Sequence, residues 1–508
     1  MIKKLSLALS IALCAASIQA QPKAQQRALN IAAPWEITAL DPSKAGYIFT
    51  RLEIAETLVG VDNAGALTPQ LATAWSVSKD QLSWRFALRP TAKFHDGSAV
   101  TAESAAKSLE RALGLPGVLR NAGIKKISAA GGDVVVELSK PFTALPAFLA
   151  HNSTQILSPS AYAPDGSVKA VIGSGPYKIS QIQPPQSLQA VRFDQYDGKA
   201  PAIEALNYLS SGRGETRGML AQSGQSDVVF THDAASFERL KNLPSLQFHS
   251  LSIPRTIYIK VNAGHPLLAD VRVRQALSLA IDRDGIAKAI LREPKAAATQ
   301  LFPPSLDEWH VKGLNPLTRN LTQAKDLLKS AGFTADEKGM LSKTGKPFKI
   351  TLRTFPDRPE LPPIATALQA QFKDIGIDLA VSVGNSSEIP AGHKDGSLEL
   401  ALLARNYSLV PDPIGTMLQD FTATGGDWGA MGWSSVQVRS SLDAMSSSND
   451  LARRSALRGS IATVLQAELP VIPVAWYQHT ATHNKRLTGV SVDPLEISYR
   501  VSQMRWVK

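Results

Sequence analysis

NLTQAKDLLKSAGF (residues 320–333), KITLR (residues 349–353) and IATALQAQFKDIGI (residues 364–377) follow one another along the chain and read as helix, strand, helix. In the first, Leu321, Ala324, Leu327, Leu328 and Ala331 recur at helical spacing, so they form one apolar stripe that must face a core. Asn320 and Gln323 resemble a capping box, and Gly332 supplies the left-handed stop. In the third, Ile364, Leu368, Phe372 and Ile375 repeat the pattern, with Gly376 near the end. KITLR between them is a strand. Residues 271–290 predict another long helix, with Val273, Ala276, Leu277, Ala280 and Ile281 inward. Upstream, SWRFALR (residues 83–89) puts Trp84, Phe86 and Leu88 on one face at period two, which predicts a half-buried strand. DVVVEL (residues 133–138) is another strand, and Asp96-Gly97 offers turn chemistry. TAESAAKSLERAL (residues 101–113) is a helix with Thr101 placed to cap it. The alternation predicts an α/β or α+β chain without internal repeats.

The chain has 508 residues, 44% hydrophobic and 19% charged, enough apolar material for a large core. By length alone about three domains are expected. Met1–Ala20 reads as a secretory signal: Lys3 and Lys4 precede an apolar stretch, and Ala20 is a small residue at the cleavage position. The one cysteine, Cys14, falls inside that signal. Leu13 before it is too large for a lipid-attachment site, so a periplasmic protein with no lipid anchor is expected, and its mature chain would be free of cysteine. Losing Lys3 and Lys4 takes the net charge from +11 to +9. No block of five like charges occurs, so nucleic acid is not an expected partner.

Tests for chemistry return little. His479 and His483 have metal-ligand spacing, but only on a helix, and residues 471–477 read as strand. No G-x-S-x-G elbow, P-loop or G-x-G-x-x-G is present. The expectation is a non-enzyme with no metal and no cofactor.

SLELALLARNYSLVPDPIGTMLQDF (residues 397–421) is more informative. Its apolar run, residues 398–404, predicts a strand buried on both faces. Such a strand delivers Arg405, Asn406 and Tyr407 into a cleft, with Asp412-Pro413 just beyond. Arg405 suits a carboxylate; it could equally pair with a nearby acid. Residues 425–433 (GGDWGAMGW) hold four glycines and two tryptophans. They read either as backbone kept slim for a ligand with Trp428 and Trp433 as flat walls, or as a structured loop capping the core.

Six stretches in order resemble the family 5 extracytoplasmic solute-binding proteins of ABC importers for peptides and nickel. They are LATAWSVS with WRFALRPTAKFHDGSAVTA (within residues 71–102), GSGPY (173–177), DVRVRQALSLAID (270–282), AKDLLKSAGF (324–333), residues 364–377 ending in IGI, and LPVIP (469–473). The resemblance implies a two-lobed, type II (cluster C-like) periplasmic binding fold with hinge closure and an extra inserted domain. Its expected parts are a discontinuous lobe I (21–60, 172–254 and 480–508), an inserted domain II (61–171) and lobe III (255–479), with GSGPY where the chain re-enters lobe I. It implies a receptor, expected to be monomeric, that hands a small solute to an inner-membrane permease with its ATPase. The candidate ligand contacts are Arg405, Asn406, Tyr407, Asp412, Trp428, Trp433, Asn152 and Trp35. Peptide receptors of the family place an Asp where Leu409 stands here. Nickel receptors place an Arg in what is here residues 151–159 and a His in residues 419–426, and this chain has neither. The expected solute bears carboxylates: a short peptide, an opine-like compound or a metal chelate. The alternatives are a secreted receptor for signalling or chaperoning and, behind it, a secreted hydrolase.

Overall fold

The computed structural model describes residues 27–421, 423 and 425–507; the expected signal and Cys14 lie outside them. Ten strands build the main sheet: β1 (Leu29–Ala33), β2 (Tyr177–Gln183), β3 (Ser187–Arg192), β4 (Ala205–Ser210), β5 (Val228–Phe230), β6 (Leu246–Val261), β7 (Lys349–Thr354), β8 (Asp378–Val383), β9 (Leu400–Asn406) and β10 (Val471–Asn484). Their order across the sheet is β8-β7-β9-β6-β10-β5-β1-β4-β3-β2. β6 and β10 are the long ones, with 16 and 14 residues, and they are antiparallel. One end of the pair joins β5; the other joins β9. The two halves of the molecule therefore share two continuous strands.

The pairing of those strands breaks where the halves meet. Ser252 faces Gln478, and the next partners are Thr256 and Trp476. Three residues of β6, Ile253, Pro254 and Arg255, thus stand against Tyr477 alone. Pro254 has no N–H to give a ladder. Its carbonyl instead accepts from Tyr407 N at 2.8 Å. Such an irregularity bends a strand locally and raises its twist.

A four-stranded antiparallel sheet forms a separate layer, in the order Ala72–Val77, Ser83–Leu88, Asp133–Leu138, Ile124–Ala130, with the helix Ala102–Gly114 against it. Thr101 caps that helix as its sequence predicts: its hydroxyl accepts from Ser104 N, and the Ser104 hydroxyl accepts from Thr101 N. Arg89 ties this layer to the β1 half, reaching Glu56 at 3.2 Å and Asp197 at 2.8 Å. Ser174 also donates to Glu56, at 2.8 Å. Gly173 and Gly175 pack so closely here that a Cβ would lie 2.3 Å from Ile54 O and 2.1 Å from Glu53 O, respectively. The layer also reaches across to the β9 half: Thr143 N donates to Ser446 O at 2.9 Å, and Lys140 pairs with Asp443 at 2.9 Å. Its apolar core, with Phe86, Phe94, Leu109 and Phe148, is continuous with the core around β6 and β9.

Three boundaries differ from the sequence expectation. Residues 271–290 form two helices, Val271–Ala280 and Arg283–Ala289, because Ile281 is extended and Asp282 starts a new helix by accepting from Gly285 N. The helix expected from residue 364 begins at Leu361, with proline in its first turn, where no N–H is needed. β9 starts at Leu400 and runs through Asn406, so Arg405 and Asn406 lie in the strand rather than after it. Pairing with Thr256 and Arg255 of β6 carries the ladder that far. Asn320 caps Leu321–Ser330 by accepting from Gln323 N, and Gly332 has φ +91°. Among the described residues no helix is long and apolar enough to cross a membrane.

Candidate functional site

A cavity of about 840 Å³ opens between the two halves, floored by the crossing strands. Ser250 and Ile257 of β6 and Trp476, Tyr477, Gln478 and Thr480 of β10 form the floor. One wall comes from the β1 half: Arg213, Glu215, His232, Asp233 and Lys241. The facing wall carries Arg292, Glu293 and Glu360, with Pro356, Pro359, Pro362 and Pro363. Both signs of charge are present. The prolines fix φ and keep that wall stiff. Burial pushes the Glu360 carboxyl up, opposed by Arg358 beside it. His232 is driven down to about 3, first by burial and then by Arg217, so it is neutral. Its Nε2 meets Thr482 Oγ1 at 2.9 Å.

Behind Tyr477 lies a buried polar junction. Arg255 and Arg358 both sit near the Tyr477 ring, 5.2 and 5.1 Å from its centroid, and Arg358 Nη1 donates to the Tyr477 hydroxyl at 3.1 Å. Arg255 Nη2 pairs with Glu496 Oε2, and Asn406 Nδ2 donates to the same oxygen at 2.9 Å. Arg51 Nε donates to Glu496 O at 3.0 Å, and its guanidinium lies 3.9 Å over the Trp35 ring. Trp35 neighbours His479 and Tyr499, and Phe230 stacks between those two rings. Burial lowers His479 to about 4. Arg255 Nε and Nη1 and Glu496 Oε1 are buried without hydrogen bonds. Among the described residues no group of three His, Cys, Asp or Glu is placed to hold a metal ion. The spacing of His479 and His483 belongs to strand β10. His483 Nδ1 meets His249 Nε2 at 2.8 Å instead.

None of the eight sequence candidates lines the cavity. Trp35 and Asn406 belong to the junction. Asn152 lies in a short 3-10 turn, with its carbonyl close against Gly46. Arg405 holds Asp420 with a two-point bond, Nε to Oδ2 at 2.7 Å and Nη2 to Oδ1 at 2.8 Å. The nearby-acid reading thus describes its geometry. Tyr407 is buried and packs edge-on against Phe302. Asp412 Oδ2 pairs with Arg454 at 2.8 Å, while its Oδ1 accepts from Ile414 N. Trp433 Nε1 donates to Glu468 at 2.6 Å. Trp428 packs against Phe355.

The glycines of residues 425–433 are slim for a different reason from a ligand's approach. A Cβ on Gly425 would lie 2.0 Å from Ala430 O, on Gly426 2.4 Å from Gln419 O, on Gly429 2.2 Å from Asp420 Cβ, and on Gly432 2.3 Å from Gly264 N. The loop is folded onto protein at each position. Two side chains from one face of β6 fasten it. Lys260 Nζ donates to Gly426 O at 2.6 Å and Asp427 O at 3.0 Å, and Tyr258 donates to Trp428 O at 2.5 Å. Lys260 Nζ also meets His393 Nδ1 at 2.9 Å, and burial lowers its ammonium to about 7.

The family described as bacterial extracellular solute-binding proteins, family 5, middle region, matches residues 66–428. This chain is a member of that family. The family 5 protein is 24% identical to the nickel-binding periplasmic protein of Escherichia coli K12, over 94% of this chain and 96% of that one. It is 24% identical to the glutathione-binding protein GsiB of Salmonella typhi, over 94% and 95%. The oligopeptide-binding protein AppA of Bacillus subtilis, solved with a nonapeptide, superposes with a TM-score of 0.85 at 19% identity, over 95% of this chain and 99% of that one. The fold is that of the type II periplasmic binding proteins, and the relatives are binding proteins for nickel, glutathione and oligopeptides. Arg255, Arg358, Tyr477 and Glu496, which the structure of the family 5 protein gathers beside the cavity, are not among the sequence candidates. PRTIYIK, residues 254–260, offered one signal: an arginine directly after a proline at the start of a β-branched and aromatic run. Glu496 offered none.

Proposed function

We propose that this family 5 protein is the periplasmic receptor of an ABC importer, closing its two halves over a small carboxylate-bearing solute and presenting it to an inner-membrane permease with its ATPase. It works as a monomer, is exported by Met1–Ala20, carries no lipid on Cys14 and catalyses no reaction. The cavity between the halves carries this reading. Its volume, about 840 Å³, lies within the usual range for small-ligand sites. Its walls, with Arg213, Lys241 and Arg292 against Glu215, Asp233, Glu238, Glu293 and Glu360, favour a solute bearing both charges. A short peptide answers that description best among peptides, opine-like compounds and metal chelates. Floor strands shared by both halves let few residues absorb the closing motion, and a solute favours the closed form only by its extra affinity for that form.

Native mass spectrometry of the protein taken from its own periplasm is expected to show one bound small molecule carrying a carboxylate. Thermal shift against di- to tetrapeptides, metal–histidine chelates and neutral sugars then ranks the classes. A shift with sugars alone would overturn the carboxylate assignment, and no bound species with no shift at all would overturn the receptor reading.

A further inference from the structure

Glu496 does not line the cavity, yet three separate segments of the chain meet at it. Arg51, on the helix Tyr47–Arg51 of the β1 half, binds its carbonyl. Arg255, in the register break of β6, binds its carboxylate. Asn406, the last residue of β9 in the other half, binds the same carboxylate oxygen and also Leu495 O at 3.4 Å. Glu496 holds φ at +60°, a conformation that costs a non-glycine residue about 1 kcal/mol or more and persists where surroundings impose it. Among the described residues it is the one acid paired with Arg255, and both side chains are almost wholly buried. The titratable and charged groups around it are Arg51, Arg255, Arg358, His479, Tyr477 and Tyr499.

We propose that Glu496 is a positioning residue: from the C-terminal segment it clamps the break in the crossing strands and so sets the separation of the two cavity walls. The proposal rests on the reading that the halves close about this cavity. Three groups from three segments converge on one residue, and two of them, Arg255 and Asn406, are direct partners across the β6–β9 ladder. Removing the carboxylate leaves Asn406 Nδ2 only its 3.4 Å bond to Leu495 O and leaves Arg255 buried without an acid. The relation between the halves then rests on β6 and β10, where their pairing is already interrupted, and on the four-stranded layer that touches both halves.

The test measures wall separation directly and needs no solute. Spin labels are placed at Lys241→Cys and Arg292→Cys, exposed positions on facing walls, in a chain carrying Cys14→Ser. Pulsed electron resonance on this background is expected to give one narrow distance distribution. With Glu496→Ala added, the distribution is expected to broaden and lengthen while the circular dichroism spectrum stays unchanged. A Glu496→Ala distribution that superposes on the background overturns the proposal and leaves the receptor reading intact. If Glu496→Ala does not fold, Arg255→Met with Glu496→Leu removes both charges together. That double variant is expected to fold with the broadened distribution, and a narrow background-like one overturns the proposal. A solute that still binds an unclamped variant, with faster dissociation and unchanged association, supports it further; equal dissociation rates count against it.

Discussion

Arg405 and Arg255 sit side by side in the main sheet and do opposite things. Arg405 of β9 pairs with Thr256, and Arg255 of β6 pairs with Asn406, one step along the same ladder. Successive residues of a strand point to opposite faces, so the two guanidiniums lie on opposite sides of the sheet. Arg405 meets Asp420, fifteen residues on in the same half, with both carboxylate oxygens engaged. Arg255 meets Glu496, 241 residues away, and two of its nitrogens stay without bonds. The first pair is local and saturated; it builds a loop. The second joins distant segments and keeps capacity in reserve; it can take part in movement. A buried ion pair is weak evidence for net stability, so what separates the two is which parts each one connects.

The largest expected effect comes from breaking the saturated pair. Asp420→Ala leaves Arg405 buried and unpaired and should cost about 3–5 kcal/mol, read as a lower urea midpoint. A loss below about 1 kcal/mol would show that the Arg405 cluster is not the structural partner in the comparison. Gly429→Ala comes next. Its new Cβ would lie 2.2 Å from Asp420 Cβ, so the loop must shift, at about 1–3 kcal/mol by overpacking; a neutral outcome would mean the loop yields freely.

Titration separates the two regions by pH window. His479 at the junction and His232 beside it hold folded values of about 4 and about 3, below the ordinary 6.5. The unfolded chain therefore takes up protons first as pH falls, and stability present above pH 6.5 is lost toward pH 4. Glu56, raised by burial to about 7, works the other way over pH 7 to 4.5. His479→Gln should flatten the acid slope of the thermal midpoint; an unchanged slope would remove the junction from the acid response. On the Arg405 side, Lys260 is lowered from 10.5 to about 7 by burial. There the unfolded chain holds more protons between those values, so stability rises as pH climbs through that window. Lys260→Met should abolish that rise. The smallest effect belongs to the rim. Lys140 and Asp443 are more than half exposed, and Asp443→Ala should change stability by less than about 1 kcal/mol.

Much of the fold was legible because it depends on short-range pattern. The capped helix after Thr101, the stripe of residues 321–331 and the buried run of β9 follow from periodicity and caps that neighbours in sequence supply. The misplaced boundaries are also local in cause: Asp282 as a second cap, and prolines tolerated in a first turn. The candidate site was less legible. Arg405, Trp428 and Trp433 stand out in the sequence because polar, aromatic and glycine residues cluster there. That cluster is bonded to surrounding protein, with Asp420, Glu468, Lys260 and Tyr258 as partners.

The sequence by itself determined the family and the α/β architecture, since hydrophobic period and ordered motifs are properties of neighbouring residues. Only the tertiary structure decided which polar groups are spent and which are free. Glu496 meets Arg255, Asn406 and Arg51 across separations of 241, 90 and 445 residues. No local pattern encodes such a meeting, because it is the packing of one half against the other that removes water from these groups and leaves each of them the others as partners.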